Sequence, residues 1–276
     1  NTVNDGGEIE FVPHLVDRAS GVGVEVKVAD LNGDAKPDIV TSSKMGLIIH
    51  TQVGATTFSA SEKWQVPGGR SQDNYGSGLT AEQALARMEM PPGFSVDLIA
   101  AEPDVVQPIA MCFDARGRLW VVEGLTYPER ATEGEGKDRI LIFEDGDADG
   151  SFETRKVFAE HINLASGIEV GFGGVYVGAA PNLYFYPDKN ADDVPDGEPE
   201  ILLDGWGYED THETLNAFTW GPDGWLYGCH GVFTHSRVGK PGTPDDARVP
   251  INAGVWRFHP VTRTFEVFAH GTSNPW

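Results

Sequence analysis

The sequence predicts an all-β protein, a partial six-bladed β-propeller of which about three blades are present. Two observations support this fold class. A strand–turn–strand phrase occurs in residues 109–124, 167–180 and 210–231, and a spacing of about 50 residues between such units is typical of propeller blades. From residue 94 onward, short apolar strands alternate with turns rich in Gly, Pro and Asp. A unit built on an acidic loop and a short helix precede these blades.

The chain divides into three predicted regions. Residues 1–66 hold the strand–loop–strand unit around the acidic loop, residues 67–92 a Gly- and Ser-rich linker with a short helix, and residues 93–276 the N-terminal half of the propeller. The sequence starts without a Met and stops inside the phrase GTSNPW. We therefore expect both ends to be cut points in a longer protein.

The helix of the linker has clear start and stop signals. Thr80 is placed to cap it, and Glu82 and Gln83 fall in its first turn, as in a capping box. Pro91 and Pro92 should end the helix, because proline breaks the helical hydrogen-bond ladder.

Charge and cysteine content exclude several classes of function. The formal net charge of −22 repels nucleic acid and anionic lipid and favours divalent cations. No apolar run approaches the roughly 20 residues that span a bilayer. Cys112 and Cys229 form no CxxC pair, so this segment holds neither a cysteine zinc site nor covalent haem, and we expect free thiols rather than a disulfide.

Three acidic loops carry oxygen ligands at alternate positions. Alternate side chains of a tight loop point inward together, and oxygens at positions one, three, five and nine, with a backbone carbonyl at seven, suit Ca²⁺. The predicted ligands are Asp30, Asn32, Asp34, the Lys36 carbonyl and Asp38; Asp145, Asp147, Asp149, the Ser151 carbonyl and Glu153; and Asp188, Asn190, Asp192 and Asp196. We expect structural sites, with solvated acidic turns as the alternative.

A polar loop ahead of a predicted strand carries the candidate catalytic residues. His212 lies between Asp210 and Glu213, and Asn216 follows. A neighbouring carboxylate raises the basicity of an imidazole and fixes its tautomer, as a general base requires. This loop is therefore the candidate catalytic site.

Two alternatives stay open for the histidines. His212 can be a hydrogen-bonded structural residue near a strand end. It can also form a three-histidine metal site with His230 and His235, which follow the next strand, although their spacing matches no recognised ligand set.

Four phrases of the chain resemble a known family. They are MPPGFSVDLIAAEPDVVQPIAMCFDARGRLWVVEGLTYPE, GGVYVGAAPNLYF, DTHETLNAFTWGPDGWLYGCHGVFTHSRVGKPGT and AGVWRFHPVTRTFEVFAHGTSNPW. In order and content they resemble the membrane-bound dehydrogenase domain of planctomycete and verrucomicrobial proteins, the PVC-type haem-binding group. The resemblance covers residues 80–276 and implies a propeller followed by helical repeats and a cytochrome c domain. The first acidic loop resembles FG-GAP and VCBS calcium repeats, since Thr41 stands where an EF-hand has its last Glu.

That domain is distantly similar to soluble quinoprotein sugar dehydrogenases, six-bladed propellers that hold pyrroloquinoline quinone (PQQ) with Ca²⁺ over the central mouth. The similarity implies that His212 takes the proton from the sugar hydroxyl, oriented by Asp210 or Glu213. His212 stands one residue further from the Gly than the base does in those enzymes, and Glu213 occupies the expected spacing.

The similarity also implies cofactor contacts. Asn274 matches a cofactor-lining segment, and His230 and Asn216 are the other candidate contacts. Ser273 stands where an Arg is expected to bind the quinone, and a carboxylated quinone needs positive partners.

The resemblance implies part of an exported dehydrogenase that oxidises a sugar or other alcohol and passes electrons to a haem domain outside this chain. Ca²⁺ and PQQ are the expected cofactors, with haem c downstream, and the expected location is periplasmic, cell-surface or extracellular. One alternative is a non-enzymatic, calcium-stiffened surface propeller that binds glycans or proteins. Another is a calcium-dependent lactonase-type hydrolase, which needs a calcium ion on the central axis.

Overall fold

The computed structural model describes residues 2–3, 9–10, 25–43, 46–54, 79–88, 90, 92–147 and 149–271, with backbone alone for 2–3, 9–10 and His212. Asn274 and Ser273 lie outside this described part. The strands are β1 (Thr2–Val3), β2 (Ile9–Glu10), β3 (Glu25–Ala29), β4 (Asp38–Ser43), β5 (Gly46–Gln52), β6 (Phe94–Ala100), β7 (Pro108–Phe113), β8 (Leu119–Glu123), β9 (Asp138–Glu144), β10 (Thr154–Ile162), β11 (Ala165–Gly171), β12 (Gly174–Ala179), β13 (Asn182–Pro187), β14 (Glu200–Leu203), β15 (Asn216–Trp220), β16 (Leu226–His230), β17 (Ser236–Val238), β18 (Val249–Ile251), β19 (Gly254–His259) and β20 (Thr264–His270).

Within the described part, sixteen strands form four antiparallel sheets of four strands each, which we call blades 1 to 4. Blade 1 has the order β3-β4-β5-β6, blade 2 β7-β8-β9-β10, blade 3 β11-β12-β13-β14 and blade 4 β15-β16-β19-β20. This arrangement confirms the predicted all-β, propeller-like fold. The number of blades is four rather than about three.

The additional blade comes from the acidic-loop unit. Its strands β3, β4 and β5 pair with one another, and β5 pairs with β6 from Gln52↔Phe94 to Leu47↔Ala100. The sequence predicts β6 as part of the propeller and the other three strands as a separate repeat. One sheet therefore joins strands from both sides of that expected boundary.

The blades pack side by side in chain order. β7 packs against β3 and β11, and β11 packs against β15. Adjacent residues of a strand face opposite sides, so Met111 of β7 packs in the cluster between blades 1 and 2, while Ala110 and Cys112 pack between blades 2 and 3. A Cβ on Gly178 would lie 2.4 Å from the Leu215 carbonyl oxygen, which shows how closely blades 3 and 4 approach.

Two faces of the arrangement are distinguished by strand direction. We call the mouth the face at which β3, β7, β11 and β15 begin. Pro108 pairs with Glu123, and Asn216 pairs with Cys229, so the loop after β8 (residues 124–137) and the loop after β16 (residues 231–235) also lie at the mouth. The three acidic loops follow the far ends of β3, β9 and β13 and lie on the opposite face.

The linker helix is shorter than the sequence predicts. It spans Ala81–Leu85, so it ends several residues before Pro91, where the sequence predicts its end. The capping box is confirmed: Gln83 N donates to Thr80 Oγ1 at 3.2 Å, and Thr80 N donates to Gln83 Oε1 at 3.0 Å. The hairpin of β17 and β18, inserted between β16 and β19, was not predicted.

Candidate functional site

The loop that leads into β15 is held between two other mouth loops. Thr211 Oγ1 donates to the Pro128 carbonyl at 2.8 Å, and Asp210 N donates to Thr234 Oγ1 at 3.1 Å. Thr211–Glu213 form one 3₁₀ turn. The backbone of His212 lies within this turn, which follows Asp210 and ends at Glu213. The role of its side chain stays a prediction.

Glu213 is packed against the end of β16. It is 4% exposed, and Gly231 N donates to its carbonyl at 2.8 Å. A Cβ on Gly231 would lie 2.3 Å from Glu213 Oε2, so a glycine is required for the carboxylate to sit here.

Asn216 and Thr214 bury polar atoms at the start of β15. Both residues are 0% exposed. Among the described residues, Asn216 Oδ1 and Nδ2 and Thr214 Oγ1 have no hydrogen-bond partner. A buried unpaired polar group costs about 1–3 kcal/mol, so such groups point to bound water or a ligand. Ser166 Oγ donates to the Thr214 carbonyl at 2.7 Å and ties this segment to blade 3.

The two histidines after β16 lie in different environments. His230 is 0% exposed and packs on Trp206, with ring centroids 5.3 Å apart. Its Nε2 lies 3.0 Å from the Thr234 carbonyl oxygen, which only accepts, so Nε2 carries a proton. Burial lowers the pKa of the ring and thereby favours its neutral form. His235 is exposed. Among the described residues, neither histidine belongs to a group of three or more potential metal ligands.

Charged side chains that the sequence analysis missed meet near the axis, between the innermost strands. Lys27 Nζ lies 3.0 Å from Glu25 Oε1 and donates to the Phe218 carbonyl of β15 at 3.2 Å. Glu25 also accepts a hydrogen bond from Met111 N of β7. Glu169 of β11 is 8% exposed. We call Glu25, Lys27 and Glu169 the axial cluster.

The axial cluster contains titrating groups. Burial raises the pKa of Glu169 to about 7, although the nearby Lys27 charge acts to lower it. Burial also raises the pKa of Glu25. Burial acts to lower the pKa of Lys27, but the charge and the hydrogen bond of Glu25, together with the charge of Glu169, outweigh burial and the pKa is raised. Cys112 and Cys229 are free thiols.

The three acidic loops fold alike. In each, the first carboxylate accepts hydrogen bonds from the backbone N–H groups of positions five and six, and the ninth-position carboxylate accepts one from position two. The residue at position six has a positive φ in all three. The acceptors are Asp30, Asp145 and Asp188 at position one and Asp38, Glu153 and Asp196 at position nine; the φ values are 62° for Ala35, 93° for Gly150 and 70° for Asp193.

The second loop brings the most carboxylates together. One oxygen from each of Asp145, Asp147, Asp149 and Glu153 lies within 4.8 Å of all the others. Oxygens bound to one Ca²⁺ at about 2.4 Å are at most about 4.8 Å apart, so this donor set fits such an ion. In the first loop, Lys36 Nζ lies 2.7 Å from Asp34 Oδ2 and competes for that oxygen.

An acidic cleft of about 750 Å³ lies between the first two loops. Asn32, Asp38, Asp145, Asp149 and Glu153 are among its lining residues. The third loop contacts positively charged side chains. Its Asp193 carboxylate lies 2.7 Å from Arg118 and 2.6 Å from Lys156.

The sequence carries only a faint signal for the axial cluster. Glu25 and Lys27 alternate with valines in β3, and Glu169 interrupts an apolar strand. Alternation of this kind normally places charges in solvent, but Val26 and Val28 are 58% and 62% exposed and the charges face inward. Sequence spacing alone does not say which side faces the axis.

No helix in the described ranges is long and apolar enough to cross a membrane. A family profile described as a domain of unknown function, DUF7133, matches residues 80–276. No curated protein matches the chain.

Proposed function

The chain belongs to the DUF7133 family, and we propose that it is part of an exported quinoprotein-like dehydrogenase that oxidises a sugar or other alcohol. The supporting observation is the loop at the mouth. This loop holds the backbone of His212 in the 3₁₀ turn Thr211–Glu213, which follows Asp210, and the unpaired buried amide of Asn216 comes three residues after Glu213.

The proposed roles follow from the chemistry of these groups. His212 is the base that removes the hydroxyl proton, and Asp210 or Glu213 orients its ring. Asn216 presents a donor and an acceptor to the ligand. Bound PQQ would accept the hydride, and its electrons would pass to a haem domain outside this chain. His230 is buried and neutral, and its contribution would be to support the loop through Thr234.

We also propose that the three acidic loops bind Ca²⁺ and stiffen the face opposite the mouth. The carboxylates of the second loop support this most directly, because their spacing suits one ion. Like charges held this closely repel one another without a cation. These sites are structural, since they lie on the opposite face from His212.

A six-bladed ring is the proposed complete fold. Val26 and Val28 expose apolar surface on blade 1, and Phe268 is 57% exposed on blade 4. Further blades on these two faces would bury such side chains. Lys27 already reaches from blade 1 to the innermost strand of blade 4, as a residue lining a central channel would.

A surface propeller that binds glycans or proteins without catalysis is the second candidate. The exposed aromatic residues Tyr127, Tyr208 and Phe233 at the mouth favour it. The lactonase-type alternative is weaker, because the Lys27 ammonium occupies the axial region beside Glu25, where such an enzyme needs its calcium ion.

Dye-coupled oxidation tests the proposal. The purified protein is loaded with PQQ and Ca²⁺ and offered a panel of aldoses and primary alcohols. We expect substrate-dependent dye reduction that His212→Asn abolishes. The matched control is His161→Asn: this histidine is exposed on blade 2 and has φ 62°, which asparagine tolerates. Equal turnover in both variants would remove His212 from the mechanism.

A further inference from the structure

Three exposed aromatic side chains stand on neighbouring loops of the mouth. Tyr127 is 45% exposed, Tyr208 42% and Phe233 71%. Large aromatic side chains normally bury most of their surface. We call these three residues the aromatic rim.

Hydrogen bonds join the loops of the rim into one surface. The contact of Thr211 with the Pro128 carbonyl links the loop of Tyr127 to that of Tyr208. The contact of Asp210 N with Thr234 Oγ1 links the loop of Tyr208 to that of Phe233. The rim therefore borders the candidate catalytic loop directly.

Phe233 is held in a costly backbone conformation although its side chain is exposed. Its φ is 68°, in the left-handed region that bulky residues avoid. Phe172 has a similar φ of 53°, but its ring packs on Trp220 with centroids 5.1 Å apart. No aromatic ring of the described part packs on Phe233. Backbone strain of this kind is often retained for binding.

The groups around the rim suit a sugar. Arg130 Cζ lies 5.5 Å from the Tyr208 ring centroid, and Arg130 Nε donates to the Ala180 carbonyl at 3.1 Å, so a fixed guanidinium covers one face of the ring. Glu129 and Glu209 are exposed on the same loops. The C–H face of a pyranose packs on flat rings, and its hydroxyls donate to carboxylates.

We propose that the aromatic rim binds a neutral saccharide chain and presents it to the catalytic loop. The net charge of −22 disfavours sulfated or uronic polymers. The inference rests on the proposed function, because it names the substrate class of the same mouth. Binding is measured without PQQ, so a failure of oxidation and a failure of binding are distinguishable.

Titration calorimetry with cellohexaose, xylohexaose, mannohexaose and maltohexaose tests the proposal. We expect at least one to bind the wild-type protein, and Phe233→Gly to weaken that binding roughly tenfold, as for loss of one stacking ring. Glycine adopts a positive φ freely, so this variant should fold. Tyr208→Ala should weaken binding as well.

Phe172→Gly is the matched control. It removes an exposed phenylalanine with positive φ from the opposite face, and saccharide affinity should not change. Absence of binding by all four probes overturns the proposal. Equal loss of affinity in Phe172→Gly and Phe233→Gly also overturns the proposal. So does a result in which heparin or a proline-rich peptide binds at the rim and the neutral probes do not.

Discussion

Replacement of Glu169 by Gln should make the protein more stable at alkaline pH and leave it nearly unchanged at acidic pH. Burial raises the pKa of Glu169 from 4.5 to about 7. The folded state therefore holds this proton more tightly than the unfolded state, by about 3 kcal/mol. The attraction of Lys27 is already included in that pKa.

The direction of the effect follows from proton linkage. Between pH 4.5 and about 7 the folded state binds more protons than the unfolded state at this site, so its contribution to stability falls as pH rises through that range. Above about pH 7 the full cost of a buried carboxylate is present. Glu169→Gln removes the charge at every pH and should raise the free energy of unfolding by up to about 3 kcal/mol at about pH 8.

Urea unfolding at about pH 5 and about pH 8, with saturating Ca²⁺ throughout, measures this difference. The matched control is Glu160→Gln at an exposed position of β10, which should change neither value. A Glu169→Gln effect of equal size at both pH values would refute the reasoning, because it would mean that this carboxyl does not titrate between them.

Three further predictions concern other parts of the molecule. Gly231→Ala should lower the free energy of unfolding by about 1–3 kcal/mol in urea unfolding, because the added Cβ meets the Glu213 carboxylate; unchanged stability would show that the loop can shift. Arg118→Met should destabilise by about 1–3 kcal/mol in the same assay, since it removes the 2.7 Å partner of the Asp193 carboxylate and leaves only Lys156 and Arg116 beside it; a neutral result would mean that these two cations suffice. Asp149→Asn should weaken terbium luminescence at the second acidic loop and lower the calcium-dependent rise in melting temperature, whereas an equal response in both proteins would argue against an ion there.

The strands were predictable where their residues alternate between two packed faces. Strands β6 to β16, β19 and β20 match predicted apolar segments, because Gly, Pro and Asp turns mark their ends. The membership of blade 1 was not predictable in this way: β5 pairs with β6 across more than forty intervening residues, and no local pattern encodes such a pairing. The β17–β18 hairpin was missed because each strand is three residues long.

The candidate site was predictable in its chemistry and not in its surroundings. The sequence placed Asp210, Glu213 and Asn216 on one loop, and their position at the mouth follows from strand direction. Burial of His230 against Trp206 and convergence of Glu25, Lys27 and Glu169 depend on contacts between blades. Such contacts are set by the relative rotation of sheets, which residue spacing does not determine.

Quinone-dependent oxidation is the most direct test of the central claim, that the mouth loop is catalytic. The purified protein, reconstituted with PQQ and Ca²⁺, should reduce dye when a sugar or alcohol from the panel is added. Activity should disappear in His212→Asn and persist in His161→Asn. The contradicting result is a protein that oxidises none of the substrates but still binds a neutral hexasaccharide at the aromatic rim. That result would refute the proposed dehydrogenase activity and favour the glycan-binding propeller.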